Sequence, residues 1–187
     1  MDAIHEARIA RLQQTMAAKD VDALLILTAA DYVYFIGDLR RQPRAIIPRE
    51  GRPILLAFAP EVEEAQLATG LADVRPYSAM HEMMVAIMGY FKSLGKERPK
   101  VAVEMEFATP AFLLERFKLA NPRVQLVDSK PLVSPLRQIK APEEVALIAK
   151  AAELADLGIE RARQVIGAGV TEAEVALEVE YAVRKAG

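Results

Sequence analysis

Leu136-Arg137-Gln138-Ile139-Lys140-Ala141-Pro142-Glu143-Glu144 divides the chain into two kinds of sequence. Proline at a first helical position loses nothing, because the N–H it lacks would have had no intrahelical partner. The two glutamates that follow face the positive end of the helix dipole. From there Val145, Ile148, Ala152, Ala155, Ile159, Ala162 and Ile166 recur at spacings of three and four, which predicts one apolar stripe on a long helix. Gly167 and Gly169 stop it. Thr171 and Glu174 then form a T-x-x-E capping box for a second amphipathic helix. Upstream of this junction the chain reads as alternating strands and helices; downstream it reads as helices alone. The division falls at 1–135 and 136–187.

The junction resembles that of the creatinase/prolidase/aminopeptidase P family, the pita-bread metallopeptidases. The residues that carry the likeness are Pro135 to Glu144, Ile148, Ala151-Ala152 and Gly169-Val170-Thr171-Glu172. In that family an Arg-x-x-Lys-x-x-x-Glu segment leads from a smaller N-terminal domain into the catalytic domain. The resemblance implies an α/β domain with a mixed β-sheet flanked by helices, followed by the first two helices of a catalytic domain.

Upstream, Asp2 can cap a helix carrying Ile9, Leu12 and Met16 on one face. Ala23-Leu24-Leu25-Ile26-Leu27 is an apolar run of strand length, as a strand covered on both faces requires. Ala45 to Pro48 and Pro53 to Phe58 read as a hairpin across the turn-rich Pro48-Arg49-Glu50-Gly51-Arg52-Pro53. Residues 60–69 read as a short helix. Val74 to Tyr77 reads as an edge strand, since Pro76 lacks a ladder donor. Met80, Met83, Met84, Ile87, Met88, Phe91 and Leu94 fall at helical spacing. Four methionines on one face suit an adaptable binding surface, but the spacing is also what burial in a core requires. Val101-Ala102-Val103 is a further strand, Thr109-Pro110 opens a helix, and Val124 to Asp128 ends the α/β part. Alternation with one hairpin implies a mixed sheet with helices on its faces.

Composition excludes several classes. A net charge of −2 gives no broad basic footprint for nucleic acid. With no cysteine there is neither a disulfide framework nor a thiolate metal site. Met1-Asp2-Ala3-Ile4-His5-Glu6 has no basic n-region or apolar h-region, and no apolar run approaches membrane-spanning length. The expectation is a soluble cytoplasmic protein that binds neither membrane nor nucleic acid.

The resemblance implies two divalent metal ions (Mn, Co or Zn), held by two aspartates, a histidine and two glutamates. Such a pair polarises the scissile carbonyl and supplies a hydroxide. Here His5 and His81 both precede the junction, and Asp156 is the one aspartate after Lys140. The implied ligands therefore lie outside this chain, which is expected to hold no cofactor, to be inert alone, and to be a piece of a longer protein. Neither histidine has a second ligand at metal spacing. Glu104 and Glu106 would share a face of a strand end, without the opposed geometry that acid–base work needs.

Asp31 to Arg44 reads as a connection after the first strand, rich in aromatic residues and holding three arginines. Guanidinium forks bind carboxylates bidentately and aromatic rings wall a pocket, although a solvated basic loop fits the same residues. The family carries a Tyr-x-x-Gly phrase here, matched by Tyr34 to Gly37. The resemblance implies that Tyr34 and Phe35 border the substrate, while Arg40, Arg41 or Arg44 holds its carboxylate, in a site that in this family is often the partner subunit's. The implied role is the non-catalytic N-terminal domain of an Xaa-Pro dipeptidase or aminopeptidase P-like enzyme. It would serve homodimer assembly and access for short peptides. Two alternatives stay open: a creatinase-like C–N hydrolase of a small non-peptide substrate, and a metal-free peptide- or protein-binding module of the same fold.

Overall fold

The apolar run after Val21 folds as strand β1 (Ala23–Ile26), and all four of its residues are buried. Five strands join it: β2 (Ala45–Pro48), β3 (Ile54–Phe58), β4 (Val74–Tyr77), β5 (Lys100–Val103) and β6 (Gln125–Asp128). The spatial order is β4-β3-β2-β1-β5-β6. β1, β2 and β3 are antiparallel in succession, whereas β1–β5, β5–β6 and β3–β4 are parallel. The sheet is mixed, as expected, and the hairpin pairs Ala45 with Leu55. β4 lies at an edge, where Pro76 deprives no neighbouring strand of a donor. A computed structural model describes residues 1–187.

Alternation along β1 divides the core in two. Leu24 and Ile26 point into a cluster with Leu12, Met16, Phe35 and Leu132. Leu25 points the other way, among Ile46, Met83, Ile87, Phe91 and Phe117. The first layer is built by α1 (Ala3–Ala18), α2 (Ala29–Ile36), α3 (Val62–Thr69) and α6 (Lys130–Gln138). The second is built by α4 (Met80–Ser93) and α5 (Ala111–Ala120). Asp2 caps α1 by accepting the His5 N–H at 3.0 Å.

Three readings of the sequence are corrected here. The stretch from Asp31 is not a connection: Thr28 accepts the Asp31 N–H and opens α2, which closes at Gly37 in the left-handed region (φ 77°). Only glycine suits that position, because a Cβ there would lie 2.5 Å from the His5 ring. Second, β5 ends at Val103, so Glu104 and Glu106 share no strand face. The Glu104 carboxylate instead accepts the N–H groups of Glu106, Phe107, Ala108 and Thr109 at 2.7–2.9 Å. Partial burial opposes its charge, but these four donors outweigh burial and hold it below the usual carboxylate value. Third, α6 follows β6 where the α/β part was expected to end, burying Leu132, Val133 and Leu136.

The chain divides into two compact units, Met1–Arg137 and Gln138–Gly187. The second is a helical hairpin of α7 (Pro142–Val165) and α8 (Glu172–Ala186). Glu144 accepts the Ala141 N–H at 2.8 Å, and Thr171 and Glu174 close the capping box read from the sequence. The helices meet at Gly158, the one buried residue of α7, which faces Val179 and Val183. The stripe residues Val145, Ile148, Ile159 and Ile166 lie off this contact and remain more than half exposed.

Candidate functional site

The three arginines of the stretch from Asp31 to Arg44 separate into three environments. Arg40 is held inside: its side chain is 6% exposed, with Nε 2.5 Å from Asp38 Oδ2. Its Nη1 stands 3.9 Å from Glu61 and 3.8 Å from Glu64. Its Nε and Nη2 are both buried without a hydrogen-bond partner, so the Asp38 contact is an ion pair and not a hydrogen bond. Tyr32 donates its hydroxyl to the same Asp38 oxygen at 3.4 Å. Burial, reinforced by the Asp38 charge, pushes the Tyr32 phenol up to about 12. Arg40 is thus buried in an ion pair with Asp38, and it is this burial that leaves it poorly suited to meeting an incoming carboxylate. Arg41 is exposed. Arg44 is half-buried on the opposite layer, its Nη1 donating to the Leu27 and Pro43 carbonyls at 2.9 and 2.8 Å.

Tyr34 and Phe35 belong to the core. Phe35 is 0% exposed, and Tyr34 donates its hydroxyl to the Leu136 carbonyl at 3.0 Å. The Arg8 guanidinium lies 4.2 Å from the Tyr34 ring centre, and Arg137 lies on the same ring at 5.6 Å. Arg137 also reaches Asp31 at 3.0 Å. These two aromatics fasten α2 to α6. Asp38 and Glu61, which determine what Arg40 can do, went unread in the sequence. The i, i+2 spacing of Asp38 and Arg40 was the one available signal.

The donor set does not fit the implied metal pair. No group of three or more His, Asp or Glu side chains is placed to hold a metal ion. His5 sits at the start of α1 with its ring 2.5 Å from Asp2, and His81 is on α4 in the other layer. No step of metal chemistry is assigned to these residues. No helix is long and apolar enough to cross a membrane.

Comparison with known proteins places this arrangement. Residues 8–139 match the creatinase/prolidase N-terminal domain. An uncharacterized peptidase of Staphylococcus epidermidis is 30% identical over 96% of this chain and 50% of its own length. Among solved structures, an Xaa-Pro dipeptidase from Bacillus anthracis superposes with a TM-score of 0.80 at 22% identity. That likeness covers 98% of this chain and 50% of the dipeptidase. The N-terminal domain of the cytoplasmic peptidase PepQ from Mycobacterium tuberculosis gives 0.59 at 20% identity, covering 70% of this chain and 98% of that one. The chain spans about half the length of the curated relatives it matches, 50% in each of those compared. With the mixed sheet, its two helical layers and a matched segment spanning most of the first unit, the chain belongs to the creatinase/prolidase N-terminal domain family.

Proposed function

We propose that this chain works as the non-catalytic N-terminal part of an Xaa-Pro dipeptidase- or aminopeptidase P-like hydrolase in the cytoplasm. It contributes to homodimer assembly and to the access of short peptides, while the two divalent metals are held by sequence outside these residues. The observation that carries this reading is the 30% identity to a peptidase across 96% of the chain. In this reading the division at 135/136 separates the access domain from the start of the catalytic one.

Of the five residues the resemblance implicates, Arg41 is the one that meets substrate. It is exposed, lies four residues before β2, and forms no ion pair with a carboxylate. Arg40 positions the segment from below through Asp38, and Tyr34 and Phe35 hold α2 beneath it. The test is kinetic, in the full-length protein that contains this chain. Arg41→Ala should raise KM for Xaa-Pro dipeptides roughly ten- to a hundredfold with kcat nearly unchanged, the loss of one charge-assisted contact. An unchanged KM removes Arg41 from the site. The 187-residue chain alone, supplied with manganese, cobalt or zinc, should show no turnover; metal-dependent hydrolysis by the purified chain would overturn the non-catalytic assignment.

A further inference from the structure

Between α4 and α5, over the face of the sheet that carries Leu25 and Val103, lies a cavity of about 760 Å³. Well-packed interiors hold few voids larger than a water molecule, whereas small-molecule sites occupy roughly 300–1,000 Å³. All four methionines of α4 line the cavity: Met83 is buried with the core beneath it, and Met80 is more than half exposed. Leu114 and Phe117 of α5 form the facing wall. Methionine side chains adapt to the shape of an apolar occupant at little cost.

The polar lining carries one sign. Arg44, His81 and Arg116 border the cavity, and no aspartate or glutamate does. None of the three pairs with a carboxylate elsewhere in the chain. Arg44 is the best placed. Its two bonds to the Leu27 and Pro43 carbonyls use Nη1 and fix the guanidinium plane, leaving the other N–H groups for a ligand. Burial pulls this guanidinium below its ordinary pKa, as happens to a cation removed from water without a counter-charge. An apolar cavity with a fixed cation at its border fits a molecule with an aliphatic body and one anionic end. A peptide fits less well, because its backbone N–H and C=O groups would be buried against side chains that cannot pair with them.

We propose that the α4–α5 cavity binds a medium-chain aliphatic carboxylate, its chain among Met80, Met84 and Met88 and its head on the Arg44 guanidinium. The site lies on the sheet layer opposite the Arg40–Asp38 pair and is separate from the peptide-access role.

Calorimetric titration of the whole 187-residue chain with decanoate tests this, with methyl decanoate as the uncharged probe. One saturable site per chain is expected, with the ester bound at least about tenfold more weakly. Arg44→Gln should weaken decanoate roughly ten- to a hundredfold and leave the ester unchanged. Met84→Trp, which fills the space, should abolish both. Because Arg44 also bonds to backbone, Arg116→Gln serves as a second variant on an exposed side chain at the cavity border, expected to weaken decanoate severalfold. No saturable uptake by the unaltered chain overturns the proposal. So does equal affinity for acid and ester, or decanoate binding that survives Met84→Trp. A dimer that Met84→Trp dissociates, in a chain that takes up no decanoate, would show that a second copy covers this face instead.

Discussion

Asp22 draws donors from three separate parts of the chain. Its Oδ1 accepts from Lys96 Nζ at 2.6 Å and from Arg49 Nη2, and its Oδ2 accepts the Lys100 N–H at 2.9 Å. Its own backbone exchanges bonds with Lys100 O and the Arg49 N–H. With 7% of the side chain exposed, burial disfavours the charge; the Lys96 contact, the Lys100 N–H and the charge of Arg49 together outweigh it and hold the carboxyl below 3.8. The folded carboxyl thus titrates lower than the unfolded one, and the unfolded chain takes up the proton first as pH falls. The stabilisation is whole above the unfolded value of 3.8 and is lost as pH falls through the folded value. Asp22→Asn should cost about 2 kcal/mol near neutral pH. Urea midpoints measured from about pH 5 to about pH 3 should fall more steeply in the parent chain than in this variant. Parallel pH profiles would show that Asp22 does not carry the acid sensitivity.

At the scale of elements, Gly158 decides how closely α7 and α8 approach. A Cβ there would stand 3.2 Å from Val183 Cγ2 and 3.4 Å from Val179 Cγ1. Gly158→Ala gains up to about 1 kcal/mol of helix propensity against this slight crowding, so its effect should be near zero. Gly158→Leu cannot be housed and should cost about 1–3 kcal/mol. Thermal unfolding followed by helical circular dichroism distinguishes the two, and equal melting temperatures would show that the helices do not meet at this residue. The neighbouring elements also show what the sequence could and could not yield. β1, β2, β3 and the edge position of β4 follow from apolar runs and from Pro76, which are local facts. α2 was legible in principle, since Thr28 and Asp31 form a T-x-x-D start and Gly37 a left-handed stop. Its aromatic content and short length hid the period. α6 was masked by Pro135, which reads as a break yet lies inside the helix. The separation of Arg40, Arg41 and Arg44 was not legible at all. Which way each guanidinium turns depends on Asp38, Glu61 and the Leu27 carbonyl, brought together only by the folded sheet.

For the whole molecule, the unpartnered faces of the helical hairpin dominate. Val145, Ile148, Ile159, Ile166 and Leu177 are each more than half exposed. Apolar surface left in water costs about 25 cal/mol per Å² relative to burial, and a monomer seldom presents so many such residues on one short unit. The 187-residue chain should therefore self-associate through residues 142–185 at micromolar concentration, while a chain ending at Lys140 stays monomeric. Sedimentation velocity on both forms decides it; a monomeric long form, or a short form that dimerises equally well, removes the hairpin as the association surface. The order of the sheet has a further consequence for how the protein is made. β1 is flanked by β2 on one side and by β5 on the other, and Asp22 and Lys100 at that second seam are 78 residues apart. A ribosome adding roughly 5–20 residues per second needs about 4–16 s to deliver the second seam. During that interval Ala23-Leu24-Leu25-Ile26 is a bare sheet edge, open to any nascent chain beside it on the same message.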